Sequence, residues 1–266
     1  MKLKIAQWGT KHAHAAAVTR AILDCKVMEF VGVYEQDSVR WSEVQQQEES
    51  PYAGVHLIGS KAEMLGDASI SAIVCEGAND ESLDMAQQIV SAGKHLWLDK
   101  PAGEDWEQWV GVVAAAKARS LHIQLGYMLR YSPAFIQVSE WARSGFLGDV
   151  FKVRGDMSKV FPKSAFARFR DYPHAGGIFY DLGGHMVDMV LWMMKGCRPS
   201  RVDGRFFATQ TEGHGYPDNT LAVLEFEGGG LGIVDISLRQ HGNHRRFEVF
   251  GTKGCAPRGL TECKFA

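Results

Sequence analysis

Short apolar runs alternate with stretches of helical period through the first half of the chain. KIAQW (4–8), MEFVGVYE (28–35), SISAIVCEG (69–77), KHLWLD (94–99) and LHIQLG (121–126) read as strands. Between them AHAAAVTRAIL (13–23), the glutamine-rich SVRWSEVQQQEE (38–49), DESLDMAQQIVSAG (80–93) and EDWEQWVGVVAAAKARS (104–120) read as helices. In the third of these Leu83, Ala86, Ile89 and Val90 share a face, and Gly93 supplies the C-terminal stop. Strands separated by helices of this length predict a doubly wound parallel sheet with its ligand at the carboxyl ends of the strands.

The pattern changes after Gly126. Helices are expected over PAFIQVSEWARSG (133–145) and over 179–195, and strands over 149–160, 201–210, 219–227, 230–239 and 245–251. Consecutive strands joined by short glycine-rich connections predict a mainly antiparallel, open sheet. The expected architecture is α/β: a Rossmann domain over 1–126, then an α+β domain over 127–266.

Composition narrows the function classes. Over 266 residues, 45% are hydrophobic and 23% charged, which supports a sizeable core, and the net charge of -2 without a basic block argues against nucleic acid. No apolar run approaches a membrane span, and the N-terminus does not read as a secretory signal. Five cysteines without a CxxC pair (Cys25, Cys75, Cys197, Cys255, Cys263) suit reduced thiols in a cytoplasm.

Three stretches carry candidate chemistry. In WGTKHAHAAA, Gly9 holds the first position of a dinucleotide-binding turn, but Lys11 and His14 stand where further glycines belong. The helix N-terminus and Lys11 could meet a phosphate. Glu35, with Asp37 as fallback, could accept from ribose hydroxyls and disfavour a 2′-phosphate. A plain strand–helix turn capped by Thr10 is the alternative. His12 and His14, at i and i+2, would point to different faces of a helix, and no Cys or Glu lies nearby at ligand spacing, so no metal is expected. Asp99-Lys100-Pro101 follows a strand directly, and proline there admits a cis bond that aims Lys100 at a substrate hydroxyl. In GGIFYDLGGHMVD, Asp181, His185 and Asp188 fall at i, i+4 and i+7 of one helix face, where carboxylates would keep the histidine oriented and basic. A capping Asp181 and a core His185 are the bland alternative.

Together these pieces resemble the glucose–fructose oxidoreductase / inositol dehydrogenase (Gfo/Idh/MocA) family. DKP looks like its EKP motif, and GGIFYDLGGHMVD looks like its GGG-x(3)-D-x-G-x-H-x(2)-D signature. SAGKHLWLDKP, GYMLRYSPAF and FEVFGTKG match further segments in the right order. The resemblance implies NAD or NADP, of which Glu35 favours NAD, and hydride transfer at a hydroxyl or carbonyl carbon of a sugar, cyclitol or related polyol. It assigns Lys100, Asp181 and His185 to catalysis: His185 takes the hydroxyl proton, Lys100 stabilises the alkoxide, and Asp181 positions substrate and base. It assigns Lys100, Pro101 and Arg130 to the cofactor, with Tyr131 beside Arg130 in the cleft; with the loop reading, Gly9, Thr10, Lys11, His12, Glu35, Glu76 and Asp99 are expected to border it too. It also implies a homo-oligomer formed through the open sheet. Asp99 departs from the family's glutamate, CEGAND (75–80) from its Thr-Pro turn, and the chain stops short of the usual family length, so the second domain is expected to be incomplete. The alternatives are a non-catalytic nucleotide- or sugar-binding sensor, favoured by the eroded glycines, and an enzyme that recycles tightly held NAD(H) between two sugars.

Overall fold

The computed structural model describes residues 2–160, 177–209, 217–242 and 244–256. Its chain divides into two compact units, Met1–Gly126 and Tyr127–Ala266.

The first unit holds five parallel strands: β1 (Leu3–Trp8), β2 (Met28–Tyr34), β3 (Ala72–Cys75), β4 (His95–Leu98) and β5 (Ile123–Leu125), in the order β2-β1-β3-β4-β5. β1 lies between β2 and β3, so the strand order reverses there, the topological switch point where such sheets bind ligands. The helices are α1 (Ala15–Asp24), α2 (Ser38–Gln46), α3 (Lys61–Gly66), α4 (Ser82–Ser91) and α5 (Trp106–Ala118). Local chemistry sets their ends. Asp37 accepts hydrogen bonds from the Val39 and Arg40 amides to start α2, and Asp105 caps α5 through Gln108. Gly93, at φ +75°, follows the end of α4. α3, within a segment given no element in the sequence reading, starts from a Ser60 cap. Ala6, Ile73, Ile89 and Leu98 centre the core, the helix face of Leu83, Ala86, Ile89 and Val90 being buried as its spacing predicts.

The second unit opens with a 3₁₀ turn (Met128–Tyr131) and α6 (Pro133–Ser144), which has Pro133 in its first turn and Gly145, at φ +81°, at its end. Its sheet contains β6 (Val150–Ser158), β7 (Pro199–Phe207), β8 (Asn219–Phe226), β9 (Leu231–Ser237), β10 (His244–Gly251) and β11 (Gly254–Ala256), ordered β11-β10-β6-β9-β8-β7. Among the described residues β6 and β9 pair in parallel and the other pairs are antiparallel. A π-helical turn (Phe179–Gly183) runs into α7 (Gly184–Met193), whose Met186, Met189, Val190 and Met193 are buried on the sheet. Glycines make the seat. A Cβ on Gly155 would stand 2.8 Å from Met186 Sδ, and one on Gly232 2.4 Å from Val190 Cγ1. On the opposite face, Arg154, Leu221, Val223, Ile233 and Asp235 are all at least partly exposed.

No helix among the described residues is long and apolar enough to cross a membrane. Cys25, Cys75, Cys197 and Cys255 form no disulfide, and Cys263 lies outside the described residues.

Candidate functional site

At the switch point the turn after β1 is stitched to its neighbours by backbone bonds. Gly9 N donates to Tyr34 O, Glu76 N to Trp8 O and His12 N to Glu76 O. Gly9 adopts φ +83°, and a Cβ there would lie 3.0 Å from Gly77 N and 3.1 Å from the Glu76 carbonyl. Glycine is therefore required both for the bend and for the close passage of two turns.

Thr10 does not cap α1, contrary to the alternative raised from sequence. Its buried hydroxyl donates to Glu35 Oε2 at 2.8 Å, and His14 occupies the cap position without a side-chain capping bond. Glu35 sits just beyond β2, nearly buried, and its Oε1 accepts from Asp37 N at 3.1 Å. Asp37 caps α2 through Oδ1 alone, so both carboxylates keep acceptor capacity. Glu35 differs in being buried and held at both oxygens just beyond β2, whereas Asp37 is exposed. Lys11 is held by Glu81, Nζ to Oε1 2.6 Å, and this hydrogen bond raises its pKa.

His12 and His14 do not point to different helix faces, because α1 begins only at Ala15. Their rings meet edge to face with centroids 5.0 Å apart and converge on Asp99 at the end of β4. Asp99 Oδ2 lies 3.0 Å from His14 Nδ1 and 3.4 Å from His12 Nδ1, while Glu76 Oε2 lies 3.4 Å from the same His12 nitrogen. Burial opposes charge throughout this group. It drives the Glu76 carboxyl upward, with only partial relief from His12. It also works against a charged His12, but Glu76 and Asp99 outweigh it and raise that pKa. Asp99 ends below its ordinary value despite burial, because His14, His12 and the Lys100 amide stabilise its charge. That amide donates to Asp99 Oδ1 at 2.6 Å, Lys100 is itself buried, and the Lys100–Pro101 peptide is cis.

In the second unit His185 is buried at the start of α7, with the Tyr127 ring edge-on at 5.9 Å. Asp181 lies in the π-helical turn, so the simple i, i+4, i+7 face does not run unbroken through the motif. Asp188 serves Arg130 instead of flanking the histidine alone. Arg130 Nε and Nη2 donate to its two oxygens at 2.8 and 2.7 Å. The Arg130 guanidinium also stands 5.5 Å from the Trp192 ring, which Arg143 faces at 5.6 Å. Tyr127, Trp192 and the convergence of His12 and His14 on Asp99 were not foreseen. The first two carry no local signal, but two histidines before the first helix, rather than within it, could have been weighed as a loop pair.

The N-terminal part matches the oxidoreductase family with an NAD-binding Rossmann fold over residues 5–127, and the C-terminal part matches the GFO/IDH/MocA C-terminal domain over 135–256. The chain belongs to the Gfo/Idh/MocA oxidoreductase family. Among relatives, it is 26% identical over 197 residues to a scyllo-inositol 2-dehydrogenase (NAD(+)) of Bacillus subtilis, covering 72% of this chain and 56% of that protein. It is 26% identical over 251 residues to a myo-inositol 2-dehydrogenase of Thermotoga maritima, covering 92% and 70%. An uncharacterized oxidoreductase of Bacillus subtilis, YrbE, is 25% identical over 76% of this chain and 59% of its own length. The chain thus spans less than two thirds of the two Bacillus subtilis relatives. In fold it resembles GenD2 from gentamicin A biosynthesis, solved in complex with NAD (TM-score 0.82, 22% identity, 96% of this chain and 71% of that one). A myo-inositol 2-dehydrogenase of Lactobacillus plantarum is equally similar (TM-score 0.82, 22% identity, 97% and 76%).

The residues at the Rossmann edge fit the family's dinucleotide. A glycine bend at Gly9, a ribose-type acceptor at Glu35 and the N-terminus of α1 all follow the carboxyl ends of neighbouring strands.

Proposed function

We propose that the chain carries out NAD(P)-dependent hydride transfer at a hydroxyl or carbonyl carbon of a sugar, cyclitol or related polyol, with NAD preferred. Glu35 carries this reading: its carboxylate is fixed by Thr10 and Asp37 at the end of β2 and retains acceptor capacity that suits a free ribose diol and repels a phosphate. Family membership and the two inositol dehydrogenases among the relatives support the reaction and substrate class.

The cofactor supplies the hydride acceptor or donor at its nicotinamide. The chain's own residues would do the rest. Lys100 would donate to the substrate oxygen and stabilise negative charge as it develops. His185 would take or return the hydroxyl proton, with Asp181 positioning it. Arg130, fixed by Asp188 and Trp192, would border the cofactor as a rigid group rather than a flexible one. The partly exposed sheet face with Leu221, Val223 and Ile233 would join copies into a homo-oligomer, and the four thiols without disulfides suit a reducing cytoplasm.

Tryptophan-to-NADH energy transfer tests the binding step, with NADPH run in parallel. Saturable NADH binding with weaker NADPH binding is expected; binding of neither would overturn the dehydrogenase reading. Lys100→Ala and His185→Ala should each lose most turnover while keeping NADH affinity. A sensor on the same fold is the second reading, favoured by the pairing of Lys11 with Glu81 in place of an open phosphate loop. NADH binding without turnover on any polyol would select it.

A further inference from the structure

We propose that His12, His14, Asp99 and Glu76 form a binding site for one divalent first-row transition-metal ion, of the zinc or cobalt type. The proposal does not rest on the dehydrogenase reading.

The donor set comes first. The ligand atoms of His12, His14 and Asp99 lie within 4.8 Å of one another, and Glu76 Oε2 adds a fourth at 3.4 Å from His12 Nδ1. Two imidazoles with carboxylates select transition ions over magnesium or calcium, which prefer all-oxygen shells. The spacing agrees. With bonds of about 2.0–2.1 Å to a tetrahedral ion, neighbouring donors stand roughly 3.3–3.4 Å apart. The separations in the structure are 3.0, 3.4 and 3.4 Å.

The second observation is Glu76. Its side chain is fully buried, and neither carboxylate oxygen has a hydrogen-bond partner. A buried carboxyl in that state is satisfied by a proton or by a cation close by, and its Oε2 faces a ligand-type atom. His12 Nδ1 faces it, but that nitrogen accepts the His14 N–H at 3.2 Å and so presents a lone pair rather than a proton. Glu76 Oε2, Asp99 Oδ2 and His12 Nδ1 are then three acceptors turned toward one another, an arrangement that a metal ion resolves. Lys100 acts against positive charge at His12, whereas Glu76 and Asp99 favour it.

The elements explain why these residues meet. The turn after β1 brings the histidines, the turn after β3 brings Glu76, and the end of β4 brings Asp99, at the carboxyl edge of three adjacent parallel strands. One of the two positions where a further loop glycine belongs, His14, is thus filled by a ligand-type side chain.

Cobalt(II) titration of the chelator-treated full chain tests this, read by visible d–d absorption, with bound metal counted by mass spectrometry. One equivalent should give an intense band of low coordination number that zinc bleaches and magnesium does not. His14→Ala and Glu76→Gln should each weaken cobalt binding at least about tenfold with the far-ultraviolet circular dichroism unchanged. His95→Ala and His122→Ala, a surface histidine pair elsewhere on the unit, should leave it unaltered. If His14→Ala impairs folding, His12→Gln replaces it. Absence of the band, or a band that survives both ligand variants, would overturn the site. Either result leaves the NADH titration, run without metal, to judge the dinucleotide reading separately.

Discussion

Replacing Asp218 by asparagine should cost the second unit about 3 kcal/mol at neutral pH and much less in acid. Asp218 is fully buried before β8, and four donors converge on it. Its Oδ1 accepts from Thr209 N at 2.8 Å and Asn219 Nδ2 at 2.7 Å. Its Oδ2 accepts from Thr209 Oγ1 and Arg239 Nε, both at 2.9 Å. An amide can present an oxygen to only one of these pairs. If its NH₂ replaces Oδ2, it confronts the Arg239 N–H and removes the charge opposite that guanidinium. If it replaces Oδ1, it confronts a backbone N–H, and Asn219 cannot simply flip because its own oxygen accepts from Ser237 at 2.6 Å. Charge-assisted bonds contribute about 1.5–3 kcal/mol each, and breaking a buried pair costs about 3–5 kcal/mol; partial exposure of Arg239 places the estimate at the lower end. The sign in pH follows. Burial alone would raise the Asp218 pKa, but Arg239, Thr209 and Asn219 together hold it below 3.8. The native charge therefore stabilises above the unfolded value and is lost as pH falls through the native one. Urea unfolding of both proteins at pH 7, 5 and 3.5 measures it. The gap should be constant between pH 7 and 5 and narrow below about 4. A gap under about 0.5 kcal/mol at pH 7 would refute the reasoning, as would a gap that does not narrow in acid.

Other expectations follow from single contacts. Gly251→Ala would place a Cβ 2.0 Å from Leu147 O and should lower the melting temperature by several degrees, corresponding to about 3 kcal/mol. Glu81→Gln would release Lys11, so NADH should bind more tightly with a steeper salt dependence; unchanged affinity would remove Lys11 from the cofactor site. Glu35→Ala should weaken NADH several-fold in the same fluorescence titration and narrow its advantage over NADPH, and retention of full selectivity would reassign that role. Arg130→Lys keeps the charge but loses the two-pronged bond to Asp188, so NADH affinity should fall with little change in melting temperature, the pair being partly exposed.

Much of the architecture was legible because it depends on periodicity. The five parallel strands and the β-rich second half follow from apolar runs and their spacing. The chemistry was legible only in part. The order of motifs pointed to the family, and Glu35 stood out by its place after the second strand. What a sequence does not carry is which neighbour a polar group finds. Thr10 could equally have capped a helix, and only the fold brings it to Glu35. Asp188 shared a nominal face with His185, yet Arg130, far off in sequence, takes both its oxygens. His12 and His14 were misjudged for a local reason: the helix starts after them, and the extra residues of turn aim both rings at Asp99.

The place of β1 between β2 and β3 has a consequence for folding order. Ile5 pairs with both Phe30 and Ala72, and Trp8 with both Tyr34 and Cys75, so the first strand synthesised is the seam on which two others are laid. Its second edge stays open until Ala72–Cys75 has been made. Closing that long loop precedes any gain from the pairing, which makes the step slow and leaves an apolar strand exposed meanwhile. Deleting the strand would cut β2 off from β3, β4 and β5 rather than trim the sheet's border. Conversely, a pulse of hydrogen exchange during refolding should find the Ala6 and Trp8 amides, on the β3 side of the strand, protected no earlier than that of Val74.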